Sequence, residues 1–269
     1  MRVYWILLTL LSTATQPSQA SHENHPSGAR SSGMAHASVM LPDFWSFHHN
    51  QAGLPFLKRM ALGFYHQSGF VREMNHQALA LVIPADRSAI AGSFSYYGYE
   101  HYHESKAAIA YGRYLAKNLT AGIQIDYFQT SITGVYGRAH QVTFEAGLLL
   151  QISENCRAAA HVFNPVRQGV GQDEEKIPTL FRLGAGYLIS ESLLLCIEAE
   201  KDLERPLTPK AAMEYELVPL LFLRTGVSLN PLQHSFGVGY TWKDLQVDAA
   251  FSFHPLLGSV PNFSLTYAF

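Results

Sequence analysis

Cysteine and charge are both scarce in this sequence. Its two cysteines among 269 residues provide no framework of disulfides. Charged residues make up 15% of the chain, below the roughly 25% of typical soluble domains, and the formal net charge is −2. Nucleic acids and anionic membrane surfaces are bound through clustered positive charge. We therefore expect no nucleic-acid partner.

Long apolar runs are also missing. After residue 20 nothing approaches the roughly 18 consecutive apolar residues of a transmembrane helix. Residues 1–20 instead have the form of a secretory signal peptide, because Arg2 precedes the apolar stretch Val3 to Leu11 and the small-residue pattern Ser18-Gln19-Ala20. We expect cleavage near Ala20 and a mature chain that is soluble or spans a membrane as a β-barrel.

Recognised catalytic motifs are absent as well, including G-x-S-x-G, H-E-x-x-H and the phosphate-binding loop. Histidines do cluster, at His48-His49 and at His101 and His103. However, adjacent strand residues point to opposite faces, and no cysteine or carboxylate spacing completes a metal site. We expect surface or loop histidines, no metal, no cofactor and no enzymatic activity. A hydrolase whose serine and histidine lie outside a short motif is the open alternative.

What the sequence does contain is alternation of polar and apolar residues, in segments of about ten, as in the strands of membrane barrels. Short connections such as Lys243 to Asp244 alternate with longer ones such as His254 to Pro261, typical of periplasmic turns and outer loops. We predict an all-β fold, a transmembrane antiparallel β-barrel of about fourteen strands over residues 58–269. Cys156 and Cys196 then lie two strands apart, too far for a disulfide. The segments start near Lys58, Asn75, Ser88, Ser105, Leu119, Ala139, Arg157, Thr179, Ser192, Lys210, Leu220, His234, Leu245 and Gly258.

The last of these segments ends on an aromatic residue. Phe263, Leu265, Tyr267 and Phe269 would share one face of a strand. Because a sheet in lipid cannot leave an edge unpaired, we predict that this strand pairs with the first and that Phe269 is the closing residue. On these residues alone, a final strand of a secreted β-sandwich is the alternative. Taken with the signal peptide, the barrel predicts a location in the outer membrane of a Gram-negative bacterium, with membrane lipid as a partner.

Within the predicted strands one face is apolar and the other carries charge. In the segment from Leu193, for example, Leu195 and Ile197 would face lipid while Cys196 would face inward. We interpret the inward charges as a paired network that fills the lumen, since fourteen strands enclose more space than eight. A polar passage whose charges select a permeant is the alternative. The predicted luminal network consists of Asp126, Glu145, Arg182, Glu198, Glu200, Glu214, Arg224 and Asp248.

Residues 21–57 differ from the rest because they hold five of the 13 histidines and no long alternating run. They must lie below or inside the barrel once residue 58 has entered it. We interpret them as a short plug-like segment, with glycines that permit tight turns. A disordered periplasmic leader is the alternative.

Short motifs occur in this segment at Gly28, Arg30, Gly33, Met34, Asn50, Gly53 and Leu54. Further motifs lie in later strands, at Leu180 to Tyr187 and Val247 to Phe251. In their order and spacing these motifs resemble the PorV/PorQ proteins. The N-terminal signature of that family runs roughly G-A-R, G-M-G-x-A, D and N-P-A-G-L, and this chain departs from it at Ala35 and Gln51.

The resemblance implies a fourteen-stranded outer-membrane barrel within the wider class that includes the fatty-acid transporter FadL. It also favours the plug for Gly28 to Leu54. PorV/PorQ proteins serve type IX secretion, so the resemblance implies an accessory role in protein secretion or surface attachment, with protein partners from that machinery. FadL-like relatives carry hydrophobic small molecules, which is the alternative. Transport predicts an apolar pocket beside the N-terminal segment and a gap or kink in a wall strand. A structural subunit of another envelope assembly is a third possibility.

Overall fold

The structure is a computed structural model that describes residues 26–69, 74–133, 137–167, 169–170, 175–254 and 258–269. The predicted signal peptide lies outside these ranges, as do parts of four longer connections. Among the described residues no helix is both long and apolar enough to cross a membrane.

Fourteen antiparallel strands form a closed barrel, which confirms the predicted fold class. An additional two-stranded hairpin, β8 and β9, lies in the connection between β7 and β10 and was not predicted. The predicted segment starts differ from the observed strand starts by three residues or fewer. The strands are β1 (Ala61–Gln67), β2 (Asn75–Ala85), β3 (Ser88–Tyr99), β4 (Tyr102–Tyr114), β5 (Leu119–Ile132), β6 (Gly137–Gln151), β7 (Cys156–Phe163), β8 (Gly169–Val170), β9 (Glu175–Lys176), β10 (Leu180–Ser190), β11 (Leu193–Asp202), β12 (Thr208–Val218), β13 (Leu221–Ser228), β14 (Gln233–Trp242), β15 (Leu245–His254) and β16 (Gly258–Ala268).

The barrel closes where β1 pairs with β16, with Ala61 opposite Ala268. The ladder continues one residue further, because the Phe269 amide donates to the Met60 carbonyl at 2.7 Å. The Arg59 guanidinium donates to the carbonyls of Ala268 and Phe269, both at 2.9 Å, which ties the residues before β1 to the end of the chain. Phe269 therefore lies at the closing seam.

Side chains alternate between the two faces of the wall as predicted. On β11, Leu195 and Ile197 are exposed on the outer face, whereas Cys196 and Glu198 are buried. Cys156 and Cys196 are free thiols on β7 and β11, with β10 between them, so the predicted lack of a disulfide is confirmed.

Residues 26–57, called the inner segment below, form two short α-helices, α1 (Ala29–Gly33) and α2 (Ser46–His49), and a 3₁₀-helix (Gln51–Phe56). Nearly all of these residues are buried. Asn50 caps the 3₁₀-helix, because its side chain accepts a hydrogen bond from the Ala52 amide. The segment contacts inward-facing residues of strands around the barrel, which places it in the lumen.

Candidate functional site

The predicted luminal charges all face inward, and seven of the eight are buried while Glu200 is half-buried. They divide into three clusters. The clusters also include charged residues outside the predicted network, namely Lys106, Lys210, Arg30 and Asp43. Three of these four are cations, so the predicted carboxylates pair with two lysines and Arg30 as well as with Arg182 and Arg224.

The first cluster is centred on Glu145, on β6. Lys106 lies 2.8 Å from Glu145 and 3.0 Å from Asp126. His161 Nε2 lies 3.0 Å from the other Glu145 oxygen. That same oxygen accepts a 2.7 Å hydrogen bond from the side-chain amide of Gln51, which belongs to the inner segment. Glu145 therefore joins the wall to the 3₁₀-helix.

The second cluster contains Glu198 and Glu200, on β11. Arg182 donates to Glu200 at 2.7 Å, and Lys210 lies 3.3 Å from Glu198 and 2.9 Å from Glu200. The remaining Glu198 oxygen accepts hydrogen bonds from the backbone amides of residues 38 and 39, both at 2.8 Å. The wall carboxylate thus binds the backbone of the inner segment directly.

The third cluster is built on Arg224, which bridges two acids. It lies 2.5 Å from Glu214 and 2.6 Å from Asp248. Glu214 is also bound by both Nε and Nη2 of Arg30, at 2.8 and 2.6 Å, a two-pronged geometry that only arginine provides. Arg30 completes its contacts with Asp43 at 3.1 Å.

The three clusters share one arrangement. A wall carboxylate is held by wall cations and uses its free lone pairs to bind the inner segment, at Arg30, at residues 38–39 and at Gln51. Buried charges are tolerated only when paired and hydrogen-bonded, and here the inner segment supplies part of that pairing. We call the inward charged face of β4–β7 and β10–β15 the charged sector.

Wall glycines bring the inner segment close to the strands. A Cβ atom at Gly226 would lie 2.3 Å from the Met34 carbonyl carbon, and one at Gly122 would lie 2.3 Å from that of Gln51. Real Cβ atoms do not come so near. The backbone of the inner segment therefore rests on bare backbone of the wall. Similar close approaches occur at Gly63, Gly112, Gly147, Gly184 and Gly237.

The N-terminal positions that carry the resemblance are packing residues. Gly28 has φ 110° and faces the Trp45 ring, and Gly33 meets Gly237 of the wall. Gly53 similarly has no space for a Cβ beside Ser46. Met34 and Leu54 are fully buried, and Asn50 donates to the carbonyls of Val39 and Leu148. These residues fix the shape of the inner segment and its fit to the wall.

Strands β1–β4 present a different inner face, which we call the alanine sector. Its small side chains pack against Phe44, Trp45, Phe47 and Leu54 of the inner segment. Phe44 reaches so close to the wall that a Cβ at Gly63 would lie 2.2 Å from its ring. The buried alanines are Ala61, Ala78, Ala80, Ala89, Ala91 and Ala110.

A chain of aromatic rings runs along the alanine sector. At the long-loop end, His76 packs edge-on to Tyr65 with ring centroids 5.4 Å apart, and Tyr65 lies 5.9 Å from Trp45. Trp45 in turn lies 5.1 Å from Phe44 and 5.8 Å from Phe47. A polar cavity of about 20 Å³ adjoins His76, enough for a single water molecule.

His48 and His49 are buried within the inner segment, so the expectation of surface or loop histidines is wrong for this pair. Burial, reinforced by the nearby Lys106, lowers the pKa of His48 well below its usual value. Burial also lowers the pKa of His49, although the Asp43 carboxylate opposes the shift. Among the described residues, neither histidine belongs to a group of three or more side chains that could hold a metal ion. Their helical placement was hidden because α2 is only four residues long.

Comparison with solved structures gives matches over nearly the whole chain. The CymD monoaromatic hydrocarbon channel shares 12% identity over 93% of this chain and 99% of its own, with a TM-score of 0.69. The toluene transporter TodX of P. putida shares 13% identity over 90% and 98%, with a TM-score of 0.71. A FadL homologue from Pseudomonas aeruginosa shares 12% identity over 91% and 99%, with a TM-score of 0.65.

At such low identity these matches show a shared fold. They support the wider FadL-like barrel class that the resemblance implied, and they give no support to the narrower PorV/PorQ family. No protein-family model matches the sequence, and no curated protein gives a significant match.

Proposed function

We propose that this chain is an integral outer-membrane barrel that carries small hydrophobic molecules. The observation that carries the proposal is the alanine sector, an apolar stretch of the lumen wall that is covered by aromatic side chains rather than by ion pairs. The whole-length match to barrels described as a hydrocarbon channel and a toluene transporter supports it, as does the predicted signal peptide. Apolar side chains on the outer face would contact membrane lipid.

We infer that the aromatic stretch between the anchors of the inner segment is the part that moves. Residues 38–39 and Gln51 are held by Glu198 and Glu145, and Phe44 to Phe47 lie between them against the alanine sector. Contacts in that sector are non-directional, so a hydrophobic molecule can replace an aromatic side chain with little loss. Each Å² of apolar surface that the molecule removes from water contributes about 25 cal/mol.

The proposed route runs along the lumen rather than through the wall. The β2–β3 ladder extends from Asn75 opposite Gly98 to Ala85 opposite Ser88 without a register shift. The ladders do shift in register at Leu188 and Ser190 and at Glu216 and Val218, beside short turns on other strands. The gap or kink expected for a transporter is therefore not found in the wall of β1–β4. Displacement of the aromatic stretch opens the route instead.

Uptake of radiolabelled toluene by cells that produce the protein tests the proposal. We expect faster uptake than in cells without the protein, and no change for a sugar of similar size. Ala91→Leu adds bulk to the buried face that packs against the inner segment and should reduce toluene uptake several-fold. Gly92→Leu is the matched control, because Gly92 is exposed on the outer face with open space around it. Uptake that equals the cells without protein would overturn the proposal.

A second candidate is the accessory role in protein secretion or surface attachment that the PorV/PorQ resemblance implies. The observation in its favour is that the inner segment occupies the lumen and binds the wall carboxylates of all three clusters. A barrel that serves to dock protein partners does not need an open lumen. Pull-down from mildly solubilised outer membranes tests it. Co-purification of secretion-channel or attachment components would support this role, and their absence would remove it.

A further inference from the structure

Two polar side chains in the aromatic stretch lack hydrogen-bond partners. Within the described residues, Trp45 Nε1 and both ring nitrogens of His48 are buried and make no hydrogen bond. Trp45 is 3% exposed and His48 is 1% exposed. Buried polar groups are nearly always paired, and an unpaired group requires a physical explanation.

The two unpaired groups and the Phe47 ring are mutual neighbours. The Phe47 ring is 5.8 Å from the Trp45 ring and 4.5 Å from the His48 ring. Trp45 and His48 are themselves 6.2 Å apart and nearly parallel, with an interplanar angle of 27°. A six-membered ring that took the place of Phe47 would touch both residues.

We propose that the alanine sector binds an uncharged aromatic molecule that carries a hydroxyl group, a phenol, in place of the Phe47 side chain. This inference rests on the proposed function and names the class of solute. The indole N–H donates to the hydroxyl oxygen, and the hydroxyl donates to the unprotonated nitrogen of a neutral His48. The ring packs against the buried alanines, as Phe47 does in the free protein.

The charges of the lumen exclude other solutes from this site. The charged sector is occupied by its own ion pairs, and a carboxylate or ammonium ion among the alanines would have no counter-charge. A pure hydrocarbon would fit by shape but would leave Trp45 and His48 unpaired. An uncharged phenol needs no counter-charge and can pair with both Trp45 and His48.

Binding can be observed at Trp45 directly. The chain contains Trp5, Trp45 and Trp242, so a W242F variant that lacks residues 1–20 retains Trp45 alone. Trp242 is 60% exposed on the outer face, which makes this substitution mild. The purified variant in detergent is titrated with phenol and with toluene, two molecules of nearly equal size. We expect both to change the Trp45 emission, and phenol to bind at least as tightly as toluene.

Two substitutions then test the polar contacts by calorimetry in the otherwise unchanged chain. His48→Phe and Trp45→Phe each keep an aromatic ring and remove the hydrogen-bonding nitrogen. Each should weaken phenol relative to toluene by roughly five- to tenfold, the worth of one buried hydrogen bond. Met40→Leu is the control and should leave the ratio unchanged, because Met40 lies in a separate apolar cluster with Met34 and Leu149. If one variant fails to fold, the other still decides.

The outcomes separate the two proposals. A phenol-to-toluene ratio that is the same in the wild type and both variants overturns the phenol assignment, while toluene binding at Trp45 leaves the hydrophobic passage in place. If neither molecule alters Trp45 emission, the site is absent and the phenol assignment fails. Toluene uptake by cells then decides separately whether the passage exists along another route.

Discussion

The charged sector and the alanine sector bind the same inner segment by different physical means. In the charged sector, the carboxylates of Glu145, Glu198 and Glu214 each accept hydrogen bonds of fixed direction from a particular atom of the segment. In the alanine sector, aromatic side chains lie against methyl groups that prescribe no partner. The position of the inner segment is therefore fixed by directed hydrogen bonds to charged groups, whereas the alanine sector contributes apolar packing without a fixed partner.

Removal of a central carboxylate should cause the largest loss of folding stability. Glu145→Ala leaves Lys106 buried without its nearest acid and releases Gln51. Loss of one partner from a buried pair costs about 3–5 kcal/mol. We expect that loss in urea unfolding of the purified protein, together with faster protease cleavage of the inner segment. Glu154→Ala, at an exposed turn, is the control. Equal stability of the two variants would show that the charged sector does not fix the segment.

A cavity made in the alanine sector should cause a somewhat smaller loss of folding stability, and a bound solute should reverse that loss. Phe47 is fully buried, and its replacement by alanine should cost about 3 kcal/mol. Because a ligand of the folded state raises stability, added toluene should restore much of this loss in Phe47→Ala but not in Glu145→Ala. Phe236→Ala removes an outward-facing ring and serves as the control. A loss in Phe47→Ala that toluene does not reverse would contradict an exchangeable sector.

Acid should lower the folding stability by a smaller amount. The pKa values of His48 and His49 are lowered in the folded protein, so the unfolded chain binds more protons once the pH falls below about 6.5. Stability then decreases with falling pH, by at most about 1.4 kcal/mol per pH unit for each histidine. We expect the urea midpoint to fall between pH 7 and pH 5.

His48→Phe provides the matched variant for this experiment, because it keeps a buried ring that does not titrate. It should reduce the pH dependence and leave the contributions of His49 and of His36, whose pKa burial lowers to about 3. An identical pH dependence in the variant and the wild type would show that His48 is not among the titrating groups.

The wall was predictable from the sequence, and the lumen was predictable only in part. Polar and apolar side chains that alternate with a period of two identify a strand whatever its partners are. Residues such as Ile197 and Glu198 were therefore assigned to the correct faces. Lys106 shares its face with Ala108 and Ala110, and this run of alanines supplied no polar pattern that would reveal its direction. Lys210 was placed at a strand start, where facing is least certain.

The structure of the inner segment could not be predicted. Its helices contain four to six residues, too few for a periodic pattern, and such short helices are stabilised by tertiary contacts rather than by propensity. The alanine sector is hidden for a related reason. Alanine is common on both faces of strands, and only the approach of Phe44, Trp45 and Phe47 shows that these alanines form one surface.

The contacts of the inner segment also impose an order in time. Arg30 finds its partner Glu214 at a separation of 184 residues, and the Ala29 amide finds Ser264 at a separation of 235. Contacts between such distant residues form late. The start of the inner segment must therefore wait for nearly the last strand before its position is fixed. Pairing of β1 with β16 closes the barrel around the inner segment, which has to be in the lumen by then.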